Sequence, residues 1–157
     1  MSAKIGFVGA GRMAGAMIRG LIEKGVYKPD EIVACAPSEE SRRRVEAAFG
    51  VRTYVSASEV ASEAGIIVLA VKPKQVPALF EEEGLKLCAR HLVISIMAGI
   101  RNEVIHAYVP DARIIRVMPN HCCSVLEGAS GYVRGPNATD ADMAIAKKLL
   151  SALGLAV

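Results

Sequence analysis

The segment that most constrains this chain is Gly9-Ala10-Gly11-Arg12-Met13-Ala14. It follows a short apolar run, Ile5-Gly-Phe-Val8, and opens a stretch that places Met13, Met17, Ile18, Leu21 and Ile22 at helical spacing. A strand that turns into a helix within three residues needs small side chains. Gly9 permits the tight turn, Gly11 lets the backbone approach a pyrophosphate, and Ala14 lets helix and strand pack. The first amides of the helix have no intrahelical acceptor, and the helix dipole adds positive potential at the same end. The bare pattern G-x-G-x-x-A is weak. Its position in the first strand-helix turn is what points to a dinucleotide.

The same alternation runs along the chain. Ile32 to Cys35 is a second apolar run, and Ser38 caps a predicted helix through Ala48 with Gly50 after it. A weak strand at Arg52 to Val55 and a short helix near Glu59 to Ala64 follow. Ile66 to Val71 is continuously apolar, as a strand covered on both faces by helices must be, and belongs near the sheet centre. Pro77 to Leu87 reads as a helix with proline in its first turn. Leu92 to Ile96 and Ile114 to Met118 read as strands around a helix at Asn102 to Tyr108. Ala129 to Val133 adds a strand, and Thr139-x-x-Asp142 caps a helix through Leu153. Strands alternating with helices specify an α/β fold, a Rossmann-type doubly wound and mostly parallel sheet flanked by helices. Residues 1–157 read as one dinucleotide-binding domain, since 157 residues suit a single core.

Composition removes other classes. Apolar residues make up 52% of the chain and charged residues 22%, which excludes a disordered chain. A net charge of +3 and 4% aromatic residues without Trp argue against a nucleic-acid partner, which needs basic excess and stacking platforms. No apolar run reaches the length of a membrane span, and Met1-Ser-Ala-Lys4 lacks the regions of a signal peptide, so the expected location is cytoplasmic. Cys35, Cys88, Cys122 and Cys123 show no C-x-x-C spacing, and no metal site is expected.

The tip of the second strand bears on which dinucleotide. An NAD site places Asp or Glu there for the ribose hydroxyls. This chain has Cys35-Ala36-Pro37-Ser38, followed by Arg42-Arg43-Arg44. Ser38 with Arg42 or a neighbour suits a 2′-phosphate, which favours NADP(H), while Glu39 and Glu40 keep NAD(H) open. Ala70-Val71-Lys72-Pro73 and Ser95-Ile96-Met97-Ala98-Gly99 end two further strands on the ligand-binding edge. Lys72 suits phosphate or substrate as well as plain exposure to solvent. Asn120 ends another strand there and both donates and accepts. His121 and the adjacent Cys122 and Cys123 read as loop residues, His91 and His106 as surface or helix-end residues, and no catalytic residue is assigned.

Ile5-Gly-Phe-Val-Gly-Ala-Gly-Arg-Met-Ala14, Ala70-Val-Lys-Pro73, Ser95-Ile-Met-Ala-Gly99 and Ile115-Arg-Val-Met-Pro-Asn120, in this order, resemble the N-terminal half of the pyrroline-5-carboxylate reductases. The resemblance implies reduction of the cyclic imine 1-pyrroline-5-carboxylate to L-proline with NADPH or NADH. It places Val8, Gly9, Ala10, Gly11, Arg12 and Met13 on the pyrophosphate and Ala36 and Ser38 on the adenosine ribose. Ala70, Val71, Lys72, Pro73, Ile96, Met97 and Ala98 fall on the nicotinamide half, with Asn120 facing the ring. Two departures stand out. His121-Cys122 replaces the family's Thr-Pro, and the chain ends at Val157, before the family's helical domain, which forms the dimer and most of the imino-acid pocket. A homo-oligomer is expected of a longer form, and no turnover from residues 1–157 alone. The deazaflavin-dependent NADP reductases and a non-catalytic NADP-binding module remain as alternatives, because fold does not fix function.

Overall fold

Apolar β-branched runs and amphipathic segments alternate along the chain, and the described residues assemble into one eight-stranded sheet with helices on both faces. This is seen in a computed structural model, which describes residues 4–97, 99–119, 128–152 and 154–156. The elements are β1 (Ile5–Val8), α1 (Arg12–Glu23), β2 (Ile32–Cys35), α2 (Glu39–Phe49), β3 (Arg52–Tyr54), α3 (Ala57–Glu63) and β4 (Ile66–Leu69). They continue with β5 (Leu92–Ser95), α4 (Asn102–Tyr108), β6 (Arg113–Pro119), β7 (Gly128–Arg134), α5 (Asp140–Ser151) and β8 (Gly154–Ala156). The spatial order is β3-β2-β1-β4-β5-β6-β7-β8. The first six strands of that order are parallel, and β7 runs antiparallel to β6 and parallel to β8. The fold is α/β and Rossmann-type. The chain leaves β1 for β2 and β3 on one side and crosses back to β4 on the other, so the carboxyl ends of β1 and β4 flank the point where strand order reverses.

Period-two alternation splits the core into two layers. Ile5, Phe7, Val68 and Ile94 point to the face covered by α1 and α5, where Met17, Ile18, Leu21, Leu149 and Leu150 meet them. Val8, Ile67, Leu69 and Val93 point to the face covered by α3 and α4, against Val60, Ala61 and Ile105. The central strand β4 is thus buried on both sides, as its unbroken apolar run requires. Among the described residues, no helix is long and apolar enough to cross a membrane.

Caps fix several boundaries where the sequence places them. The Ser38 hydroxyl accepts from the Ser41 amide at the start of α2, and Gly50 ends that helix at φ +72°. Thr139 and Asp142 form a reciprocal capping box on α5.

Two expectations need correction. The helix expected over Pro77 to Leu87 is much shorter. A 3-10 turn at Pro73–Gln75 leads into a π-helical turn at Ala78–Glu82, which stops before Gly84 at φ +72°. Leu79, Leu85 and Leu87 are all buried, but the last two reach the core from irregular backbone, so an apolar spacing compatible with a helix arose without one. His91 is not a surface residue, being only 3% exposed just before β5. Its Nδ1 accepts from the Cys88 amide at 3.0 Å, which assigns the proton to Nε2, within 2.9 Å of the Ala61 carbonyl.

Burial, with Arg90 and Arg113 nearby, holds the His91 pKa below its usual 6.5 despite the Ala61 carbonyl. The unfolded chain therefore takes up a proton at a higher pH than the folded one, and stability present above about pH 6.5 is lost as pH falls toward the lower folded value. Urea midpoints at pH 7.5 and 5.5 are expected to fall for the native chain and to fall less for His91→Gln. Equal pH dependence of the two proteins would contradict this role.

Candidate functional site

Two strands and one glycine create the site. Beyond β1, the Gly9 amide donates to the Cys35 carbonyl at 3.0 Å and the Ala70 amide donates to the Val8 carbonyl at 2.8 Å, drawing the ends of β2, β1 and β4 together. Gly9 has φ +112°, and a β-carbon there would lie 2.6 Å from the Ala70 carbonyl oxygen, so only glycine fits. Gly11 caps α1 with extended backbone, and a β-carbon on it would meet nothing within 4 Å. Among the described residues no side chain caps α1, so its first amides have no side-chain acceptor. Arg44 of α2 donates to the Ala10 carbonyl at 3.1 Å and fixes the turn from outside.

A cleft of about 270 Å³ opens over this turn. That lies near the lower end of the ~300–1,000 Å³ range of small-molecule sites and suits a nucleoside-sized group. Val8, Gly9, Ala10, Gly11, Ala36, Ala70, Val71 and Lys72 line it, all expected from the sequence. Arg12 and Met13 form the first turn of α1 beside it. The Arg12 side chain is exposed and Met13 packs on the core, so neither side chain is part of the wall. Pro73 starts the 3-10 turn beyond Lys72 and also stands outside the wall. Ile96 packs against the α1 layer and Met97 is buried in the α3 layer, so neither lines the cleft. Ala98, Asn120, His121, Cys122 and Cys123 lie outside the described residues.

The arginine cluster separates into three roles. Arg42 Nη1 donates to the Ala36 and Pro37 carbonyls at 2.7 and 2.9 Å, which holds a half-buried guanidinium at the tip of β2 beside Ser38. Arg44 secures the glycine turn. Arg43 pairs with Glu39 at 2.6 Å on the exposed face of α2, an ordinary surface pair. No acidic residue occupies the β2 tip itself, where Cys35, Ala36 and Pro37 line the cleft.

Sequence reasoning missed the far wall. Val55 enters from the loop after β3 and Ala57 from the first turn of α3, while Gln75, Ala78, Leu79 and Glu83 come from the turns after β4. The available signal was the rule that ligands bind beyond the carboxyl ends of strands, which applies to β3 as well as to β1, β2 and β4. Cys35 is 4% exposed and its thiol is pushed up to about 11, chiefly by burial, with the carboxylates of Glu83 and Glu59 adding to the rise. It is a neutral wall atom and no nucleophile at ordinary pH.

Residues 4–99, more than half the chain, match the family described as NADP oxidoreductase, coenzyme F420-dependent. The chain is 36% identical over 155 residues to the pyrroline-5-carboxylate reductase of Methanosarcina acetivorans, covering 98% of this chain and 57% of that protein. It is 37% identical over 153 residues to that of Arabidopsis thaliana, covering 98% of this chain and 55% of the relative. The solved pyrroline-5-carboxylate reductase of Coxiella burnetii superposes with a TM-score of 0.90 at 31% identity, over 100% of this chain and 58% of that one. The chain therefore spans about half the length of these relatives.

Proposed function

The chain belongs to the family described as NADP oxidoreductase, coenzyme F420-dependent, and from that membership we propose that residues 1–157 form the cofactor-binding domain of a pyrroline-5-carboxylate reductase. The observation that carries the dinucleotide reading is the glycine turn at the reversal of strand order, where Gly9 permits the approach of β1 to Ala70 and Gly11 leaves open space before the free amides of α1. The similarity to the reductases of Methanosarcina and Arabidopsis over nearly the whole chain carries the substrate.

In this reading the amides of Gly11, Arg12 and Met13 take the pyrophosphate. Ala36 and Ser38 border the ribose, and the Arg42 guanidinium, with only Nη1 engaged among the described residues, meets the 2′-phosphate of NADP(H). Ala70, Val71, Lys72, Pro73, Ile96, Met97, Ala98 and Asn120 serve the nicotinamide half. The bound dinucleotide supplies a hydride for the carbon of the imino acid. This chain's part is to hold and orient the cofactor, and orientation is a large share of such barriers. The free thiols of Cys35 and Cys88 fit a reducing, cytoplasmic setting.

The matched family's own description favours a second reading, NADP reduction coupled to a deazaflavin coenzyme. The test follows NADPH oxidation by a protein carrying this chain, with 1-pyrroline-5-carboxylate or with the oxidised deazaflavin as acceptor. Proline formation supports the first reading. NADPH oxidation with the deazaflavin alone supports the second.

A further inference from the structure

A second cleft, of about 260 Å³, lies between α3 and the loop that leads into β5, and it shares no lining residue with the cleft over the glycine turn. Ser58 and Ser62, one turn apart on α3, line it together with Lys86 and Arg90, and its buried residues are Ala61 and His91. No acidic side chain lines it. Elsewhere Lys4, Arg43, Arg52, Arg113 and Arg134 each pair with a carboxylate. Lys86 and Arg90 have no such partner among the described residues, so two uncompensated cations share one concavity, the arrangement that concentrates positive potential.

The cleft is held in shape. Arg90 Nη2 donates to the Ala61 carbonyl at 2.6 Å, and the same oxygen lies 2.9 Å from His91 Nε2. One corner of the guanidinium is thereby tied to α3, and its remaining N–H groups have no partner among the described residues. The Ser62 hydroxyl donates to the Glu59 carbonyl at 2.7 Å, which leaves the Ser58 hydroxyl as the free donor of that wall. Burial keeps His91 neutral, and the charges of Arg90 and Arg113 act in the same direction, a sign of positive potential reaching the depth of the cleft.

We infer that this cleft is an anion site that takes a phosphate group, with the Arg90 guanidinium and the Lys86 ammonium on its oxygens and the Ser58 hydroxyl donating to a third. The inference does not depend on the function proposed above. A tetrahedral dianion offers acceptors in several directions, which suits a planar fork, a point charge and a hydroxyl arriving from two walls. The free ion and the phosphate of a monoester share this chemistry.

The test titrates sodium phosphate into the native chain at constant ionic strength, with chloride as the control, and follows the imidazole resonances. The His91 signal is the one that disappears in His91→Gln. It is expected to shift saturably with phosphate, with half-saturation below about 10 mM, the worth of two charge-assisted hydrogen bonds. Lys86→Ala is expected to weaken phosphate roughly tenfold without changing the melting temperature in its absence. Arg90→Lys keeps the charge but not the fork, and is expected to weaken it as well. Glycerol 3-phosphate separates the sources: tighter binding than phosphate assigns the cleft to a monoester, equal binding to the free ion, and both uphold the site. A His91 shift no larger than that with chloride overturns the proposal, as does unchanged phosphate affinity in Lys86→Ala. Phosphate that moves only the amides of Gly9 to Met13, leaving His91 unmoved, overturns it too.

Discussion

Gly11→Val is expected to weaken dinucleotide binding on the order of 100-fold, the loss of several amide contacts to phosphate, while the chain folds normally. Gly9→Ala, two residues earlier, is expected to do the reverse and cost roughly 2–5 kcal/mol of folding stability. The contrast follows from what each side chain would meet. At Gly11 the backbone is ordinary and a β-carbon enters empty space, the space a pyrophosphate needs. At Gly9 the backbone is left-handed, and the β-carbon would strike the Ala70 carbonyl oxygen at 2.6 Å, a backbone atom held by the sheet. Urea unfolding followed by circular dichroism, with NADPH titration of the same samples, separates the two effects. Binding retained by a folded Gly11→Val would show that the cofactor does not use this turn.

Asp142→Ala is expected to destabilise the chain by about 3 kcal/mol, a large part of the margin of an ordinary domain. Its carboxylate is 1% exposed, with one oxygen accepting from Arg113 Nη1 at 2.5 Å and the other from the Thr139 amide at 3.0 Å. Arg113 also donates to the Ala89 and Arg90 carbonyls, so this one pair ties the start of α5 to β6 and to the loop before β5. The arginine side chain keeps 30% of its exposure, which places the loss at the low end for a buried pair. Asp142→Asn retains an acceptor for Thr139 and is expected to lose about half as much. Urea midpoints of the three proteins measure this, and a change under ~0.5 kcal/mol in Asp142→Ala, the range of ordinary surface substitutions, would contradict it.

What the sequence made legible was local. The glycine turn, the Ser38 cap with Gly50, the Thr139 box and the two-faced burial of Ile66 to Leu69 each depend on residues within one element or its ends, where propensity and periodicity act directly. What it hid was long-range or a competition between patterns. Arg113 and Asp142 are 29 residues apart, and His91 reaches Ala61 across 30, so neither burial has a local signature. The π-helical turn at Ala78–Glu82 and the irregular stretch after it share the apolar spacing of a longer helix, and Gly84 decides between them. The far wall of the cleft escaped for the same reason, since Val55 and Glu83 face it only once β3 and the turns after β4 are in place.

A dinucleotide phosphate held by the turn after β1, with NADP(H) received at the β2 tip in preference to NAD(H), makes a direct prediction for cofactor binding. Calorimetric titration of NADPH and NADH into the native chain tests it most directly, with Ser38→Asp beside it, a substitution that keeps an acceptor for the Ser41 amide while adding a charge at the β2 tip. Saturable one-site binding is expected, with NADPH roughly tenfold or more tighter than NADH through charge-assisted bonds to the 2′-phosphate, and loss of that preference in Ser38→Asp. Equal binding of the two cofactors, or a preference for NADH, would contradict the assignment at the β2 tip, and binding of neither would contradict the site.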